Sequence, residues 1–222
     1  AFALPFSSEA ERKKDGKPDG GVLGYGEYGR PATLDPITSN EMISLRLTEL
    51  IFNGLVGINE KQEIVSELAE KWEISPDGRT YTFHLRKGVT WHAREGEEAK
   101  PFTADDVIFT HKIMMHPKTI TPLKVRYEFI EKAEKIEDYT VQFVLKRPIL
   151  NALAKFSFKI IPRHGPSNPL YLTREDSFVQ NPIGTGPYQL KNVTEDREII
   201  LTANENYFKG RPHIDKFVSK PF

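Results

Sequence analysis

The stretch Ala69-Glu-Lys-Trp-Glu-Ile-Ser-Pro-Asp-Gly-Arg-Thr-Tyr-Thr-Phe-His-Leu-Arg-Lys-Gly-Val-Thr-Trp-His92 resumes at Pro101-Phe-Thr-Ala-Asp-Asp-Val107 after a polar insert. Ser75-Pro76-Asp77-Gly78 reads as a turn, because proline presets one φ and glycine supplies a positive one. Thr80 to Arg86 alternates, with Tyr81, Phe83 and Leu85 on one face and Thr82, His84 and Arg86 on the other, as a half-buried strand requires. Thr103, with Asp106 three residues on, approximates a capping box in which Asp replaces the usual Glu. The helix it opens is expected to run to about Met115 and stop before Pro117. Upstream, Val65 to Lys71 reads as a short helix that turns Leu68 and Ala69 inward. The expected order is therefore helix end, turn, strand, capped helix.

Working outward toward the N-terminus, residues 7–20 mix charges, Gly and Pro without an apolar period, so residues 1–21 are expected to be a flexible leader. Gly21 to Tyr28 is a glycine-interrupted strand, and Pro31 and Pro36 keep the next residues extended. Ser39 or Asn40 is the expected cap of a helix whose Ile43, Leu47, Leu50 and Ile51 share a face and which ends at Asn53-Gly54.

Toward the C-terminus, Phe129–Ile136 and Tyr139–Lys146 read as a strand pair, and Ile149–Phe156 as a short helix. Residues 162–186 look irregular. Tyr188–Val193 and Glu198–Ala203 form a hairpin around residues 194–197, and Ile214–Ser219 is a last strand. Helices and strands alternate irregularly, which argues for an α+β or mixed α/β body.

Composition limits the function. The 31 basic and 31 acidic residues cancel, so no global field attracts nucleic acid or an acidic membrane. No cysteine is present, which removes disulfides, Cys-ligated zinc and thiol catalysis. No run approaches 18 apolar residues. Ala1-Phe2-Ala3 fits the tail of a signal-cleavage site, and equally a chain that begins after a removed leader.

Three blocks resemble the peptide/nickel solute-binding family of ABC importers, extracellular solute-binding protein family 5. The first is Leu34-Asp35-Pro36, then Asn53-Gly54-Leu55-Val56 and Leu68-Ala69-Glu70-Lys71-Trp72. The second is the stretch quoted above, from Asp77-Gly78 to Val107. The third is Pro182-Ile183-Gly184-Thr185-Gly186-Pro187-Tyr188, followed by Asn204-Glu205-Asn206-Tyr207-Phe208 and Gly210-Arg211-Pro212-His213-Ile214-Asp215. One departure is the charged loop from Ala93 to Lys100, where the family has a shorter link; such insertions are cheap. The other is length, since family members have two lobes.

The resemblance implies the N-terminal lobe of a periplasmic binding protein type II-like fold, with the second lobe absent. Residues 22–53 and 180–222 would be an incomplete scaffold subdomain, and 54–179 an inserted α+β subdomain. It further implies a non-enzymatic component that captures a small solute, a peptide first, with nickel complexes, opines and sugars as other cargo of the family. ABC permease subunits would be its partners. The expected protein is a periplasmic or extracellular monomer, with a lipid anchor as an option and no cofactor.

Other motifs read as structure. Trp72, Tyr81, Phe83 and Trp91 are expected in the core. Gly184-Thr185-Gly186-Pro187 superficially suggests a phosphate loop, but a strand rather than a helix follows, so a tight crossover between subdomains is expected. Asp105-Asp106 suits a first helical turn better than a catalytic pair. The six histidines are scattered without metal-ligand spacing.

The candidate ligand contacts are the loops the resemblance turns to the cleft: Arg30, Pro31, Ala32 and Thr33 after the first strand, and Thr38, Ser39, Asn40 and Glu41 before the first helix. Strand ends and helix N-termini gather backbone donors, and Arg30 suits a ligand carboxylate. Tyr127, Phe156 and Ser157 are further candidates by position in the family pattern. Two rival readings remain: an interaction or sensor module without a ligand, and a hydrolase, for which no Gly-x-Ser-x-Gly elbow or nucleophile–base pair is visible.

Overall fold

In a computed structural model that describes residues 19–222, two separate four-stranded sheets organise the chain. The elements in order are β1 (Val22–Glu27), α1 (Met42–Ile51), β2 (Val56–Ile58), β3 (Ile64–Ser66), β4 (Ala69–Ile74), β5 (Thr80–Leu85), α2 (Ala104–Met115) and α3 (Leu123–Tyr127). There follow β6 (Ile130–Glu137), β7 (Thr140–Leu145), a 3-10 helix (Ala152–Ser157), α4 (Ser177–Gln180), β8 (Tyr188–Val193), β9 (Ile199–Ala203) and β10 (Lys216–Pro221). The first sheet has the order β1-β10-β9-β8, the second β4-β5-β7-β6, and β2 and β3 form a small hairpin.

The alternating strand lies in the middle of the second sheet. β5 pairs antiparallel with β4 on one side and β7 on the other. Its Tyr81, Phe83 and Leu85 are buried, as are Val141, Phe143 and Leu145 of β7. Phe156 packs between them, with ring centroids 4.8 Å from Phe83 and 4.9 Å from Phe143. Trp91 is buried against Phe102, and Trp72 packs at the edge of the same core. A second apolar cluster lies under the first sheet, joining Leu34, Ile37, Leu47, Ile51 and Phe52 to Phe178, Ile199 and Leu201.

The helix expected over Val65–Lys71 does not form. Val65 pairs with Gly57 in the small hairpin, and Lys71 and Trp72 pair with His84 and Phe83 of β5. Adjacent Leu68 and Ala69 are both fully buried, which mimics a helical face; here Leu68 lies in the bend between β3 and β4, where strand alternation does not apply, and Ala69 opens β4. Two boundaries also move. The cap of α1 is Glu41 rather than Ser39 or Asn40, because its longer carboxylate reaches the amides of Ile43 and Ser44, both at 2.9 Å. The last strand starts at Lys216, two residues later than expected, and runs to Pro221. Pro221 is tolerated because β9 begins opposite Ser219 and does not extend alongside Pro221, leaving no partner there for the missing N–H.

Other expectations match closely. α2 spans Ala104–Met115 and ends at His116, before Pro117. Asp106 accepts the Thr103 N–H at 3.0 Å and also the Arg163 N–H at 2.9 Å, tying the helix start to a distant segment. The charged insert closes on itself through Trp91 N–H to the Lys100 carbonyl at 2.9 Å. Of the expected leader, residues 1–18 lie outside the described residues. Gly20 and Gly21 are tied down by bonds to the His213 carbonyl (2.7 Å) and the Asp215 carboxylate (3.2 Å).

The Gly184-Thr185-Gly186 segment crosses α1 at backbone contact. Gly186 N–H donates to the Ile51 carbonyl at 2.8 Å, and a Cβ at Gly184 would overlap that same oxygen. Glycine is needed here for close approach rather than for a phosphate.

Candidate functional site

Asp35 sets the loop between β1 and α1. Its carboxylate accepts the Ile37 N–H (2.9 Å), the Thr38 N–H (3.1 Å) and the Thr38 hydroxyl (2.6 Å), while Pro36 limits the backbone between them. Burial pushes the Asp35 carboxyl up to about 6 despite these bonds. Thr33 Oγ1 accepts the Asp35 N–H at 3.0 Å, so the turn is fixed from both sides.

Glu41 fixes the preceding segment. Besides capping α1 it accepts the Ala32 N–H at 3.0 Å and the Ser44 hydroxyl, and Ser44 Oγ accepts the Thr33 N–H at 3.3 Å. Partial burial raises the Glu41 carboxyl, but the bonds from Ser44, Ala32 and Ile43 outweigh it and hold the group below its ordinary value. Glu41 is thus engaged in holding the loop, and it does not face the hollow the loop creates.

That hollow has a volume of about 350 Å³ and takes its wall from Arg30 to Leu34, Thr38 and Asn40. Six of the residues expected at a cleft are brought together here: Arg30, Pro31, Ala32, Thr33, Thr38 and Asn40. The opposite wall comes from residues that the sequence does not flag: Arg174, Val179, Gln180, Val193, Arg197 and Ile199. The topology explains the meeting. β1 and β10 run parallel, and Ile199, at the start of β9, pairs with Ser219 near the end of β10. The β8–β9 turn therefore lies at the same edge as the loop that leaves β1, the carboxyl end of a parallel pair.

The remaining expected residues lie elsewhere. Ser39 is buried and its hydroxyl has no hydrogen-bond partner. Tyr127 and Ser157 line a separate, shallower hollow with Arg126, Leu150 and Lys155. Phe156 is fully buried within the aromatic core, which leaves it no face for a solute. Of the scattered histidines, His92 is a satisfied core group bonded to Gly184 and Gly186. No cluster of three potential metal ligands occurs among the described residues, and no described helix is long and apolar enough to cross a membrane.

Comparison with known proteins matches residues 63–222 to the family described as bacterial extracellular solute-binding proteins, family 5 Middle. The dipeptide-binding protein of Escherichia coli K12 is 38% identical over 219 residues, covering 89% of this chain and 40% of that protein. Among solved structures, the oligopeptide-binding protein AppA of Bacillus subtilis, in complex with a nonapeptide, superposes with a TM-score of 0.82 at 30% identity. That match covers 92% of this chain and 40% of AppA. NikZ of Campylobacter jejuni, in complex with Ni(L-His), gives a TM-score of 0.78 at 28% identity, covering 90% and 39% of the two chains. The chain thus spans about two fifths of the length of these relatives. With a family match over 160 of its 222 residues and a mixed helix–sheet fold shared with these structures, the chain belongs to the bacterial extracellular solute-binding proteins of family 5.

Proposed function

We propose that this chain is one lobe of a two-lobed capture protein that delivers a small solute, most simply a peptide, to an ABC permease outside the cytoplasmic membrane. One observation carries the reading: the Arg30–Leu34 segment, with Thr38 and Asn40, walls a hollow of small-molecule size at the carboxyl end of a parallel strand pair. The family membership and the relatives' cargo support it. The lobe presents a preformed half-site, the second lobe closes over it by hinge motion, and the closed form docks on the permease. No bond in the solute is made or broken.

Within the lobe, residues 22–53 and 180–222 act as scaffold and 54–179 as an insert. The two sheets support this division, since one draws its strands from 22–27 and 188–221 and the other from 69–145. The border is not clean in packing, because Ile113, Leu172 and Phe178 of the insert join the scaffold's apolar cluster.

Native mass spectrometry of the full-length protein purified from its own host tests the reading. A co-purified mass of a few hundred daltons, released on unfolding, is expected. Absence of any such mass, together with no thermal shift from a mixture of di- to pentapeptides, would overturn it.

A further inference from the structure

The hollow is lined by three arginines, Arg30, Arg174 and Arg197, and by no carboxylate. They come from three distant places in the sequence: the loop after β1, the segment before α4, and the β8–β9 turn. No ion pair or side-chain hydrogen bond engages their guanidinium groups among the described residues. All three are exposed.

Three of the nearby carboxylates are already engaged elsewhere. Glu41 is bonded to Ala32, Ile43 and Ser44. Glu198 is paired with Lys220 at 2.8 Å. Asp176 is buried and accepts the Ser167 and Phe178 amides, each at 2.9 Å. Glu175, Glu195 and Asp196 are exposed neighbours in sequence, and none lines the hollow. A chain of zero formal charge therefore concentrates positive charge at one concavity. Guanidinium forks suit carboxylates in particular, because two parallel N–H donors match two oxygens. The rest of the wall supports a short polar chain rather than a bare ion. Thr38 and Asn40 offer hydrogen-bonding groups, and Leu34, Val179 and Ile199 an apolar floor.

We infer that this hollow selects anionic solutes, and, resting on the capture reading above, that the preferred cargo is a peptide with an acidic side chain. Arg174 and Arg197 would then set specificity across the hollow from Arg30. The net zero charge of the whole chain makes the preference local, so it should weaken as salt rises toward about 0.15 M.

The test is isothermal titration of the full-length protein with Ala-Glu-Ala, Ala-Ala-Ala, Ala-Lys-Ala and citrate, at low salt and near 0.15 M. Ala-Glu-Ala is expected to bind about tenfold tighter than Ala-Ala-Ala and tighter still than Ala-Lys-Ala, with the gap narrowing as salt rises. The ratio between the first two should fall toward one in R174Q and R197Q, and stay as in the parent in K132Q on the remote charged face of β6. Peptides binding without charge preference, or a ratio unmoved by R174Q and R197Q, would overturn the anionic inference while leaving peptide capture intact. Citrate binding that R174Q and R197Q weaken, without binding of any peptide, would uphold anion selection and overturn the peptide cargo. Binding of none of the four would overturn both.

Discussion

The imidazole of His92 is locked to Gly184: His92 Nδ1 accepts the Gly184 N–H at 3.1 Å, and the His92 N–H donates to the Gly184 carbonyl at 2.8 Å. Since Nδ1 accepts, Nε2 carries the proton and donates to the Gly186 carbonyl at 2.9 Å. The bonds join the segment that follows β5 of the second sheet to the crossover that enters the first. Protonating Nδ1 would set a donor against the Gly184 N–H, and burial already disfavours the charge, lowering the His92 pKa to about 4.

Stability is therefore expected to fall with acid. His92 and His111 are both lowered from 6.5 to about 4 by burial, so the unfolded chain binds more protons between those values. Their contribution is complete above pH 6.5 and lost as pH falls through 4. Urea denaturation at pH 7.5, 5.5 and 4.5 should give a decreasing midpoint. H92F, which leaves the buried Gly184 N–H unpaired while Asn204 Nδ2 still donates to the Gly186 carbonyl, should cost about 1–3 kcal/mol at pH 7.5 and flatten the acid limb.

Asp35 works in the opposite direction. Its folded pKa is raised from 3.8 to about 6, so the folded state holds the extra proton between these values and stability declines as pH rises through 6. D35N should abolish this opposing slope and make the acid loss steeper. At neutral pH the new amide would present N–H toward the Thr38 N–H, at a cost of about 1–2 kcal/mol. Parallel pH–stability curves for the two proteins check both statements.

Among glycine-to-alanine changes at the described residues, G184A should be the most damaging. The added methyl would overlap the Ile51 carbonyl, and both partners are backbone within a packed core, so neither moves alone. A loss above about 3 kcal/mol, or failure to fold, is expected by thermal denaturation. G88A provides the contrast, because open space surrounds Gly88 and only its positive φ of 78° opposes a side chain, at about 1–2 kcal/mol.

If capture needs two lobes, the 222-residue chain should bind its solute roughly a hundredfold or more weakly than the full-length protein, because enclosure and half of the contacts are missing. Calorimetry with the same ligand on both proteins checks this. Equal affinities would mean that this lobe alone forms the site.

How much was legible in advance varies by element. Thr80–Leu85, Thr140–Leu145 and Ile199–Ala203 could be read from alternation alone, because each keeps one face in a core and one nearer solvent. The start of α2 was legible because its cap lies within four residues. Val65–Lys71 misled because Leu68 and Ala69 face inward together, a spacing that helices produce by periodicity and this chain produces with a bend at Leu68 just before β4. The hollow was half legible. Its Arg30–Thr33 wall lies beside recognisable turn chemistry, whereas Arg174 and Arg197 carry no local pattern that separates them from ordinary surface arginines.

By itself the sequence determined what short-range chemistry controls: alternating faces, turns built on Pro and Gly, and the carboxylate cap of Asp106. Which strands became neighbours was left to tertiary structure, because backbone pairing is nearly indifferent to side-chain identity and depends on which apolar faces must be buried together. The parallel pairing of β1 with β10, separated by some 190 residues, is the decisive case. It brings the Arg197 turn to the loop of Arg30, and the hollow exists only through that contact.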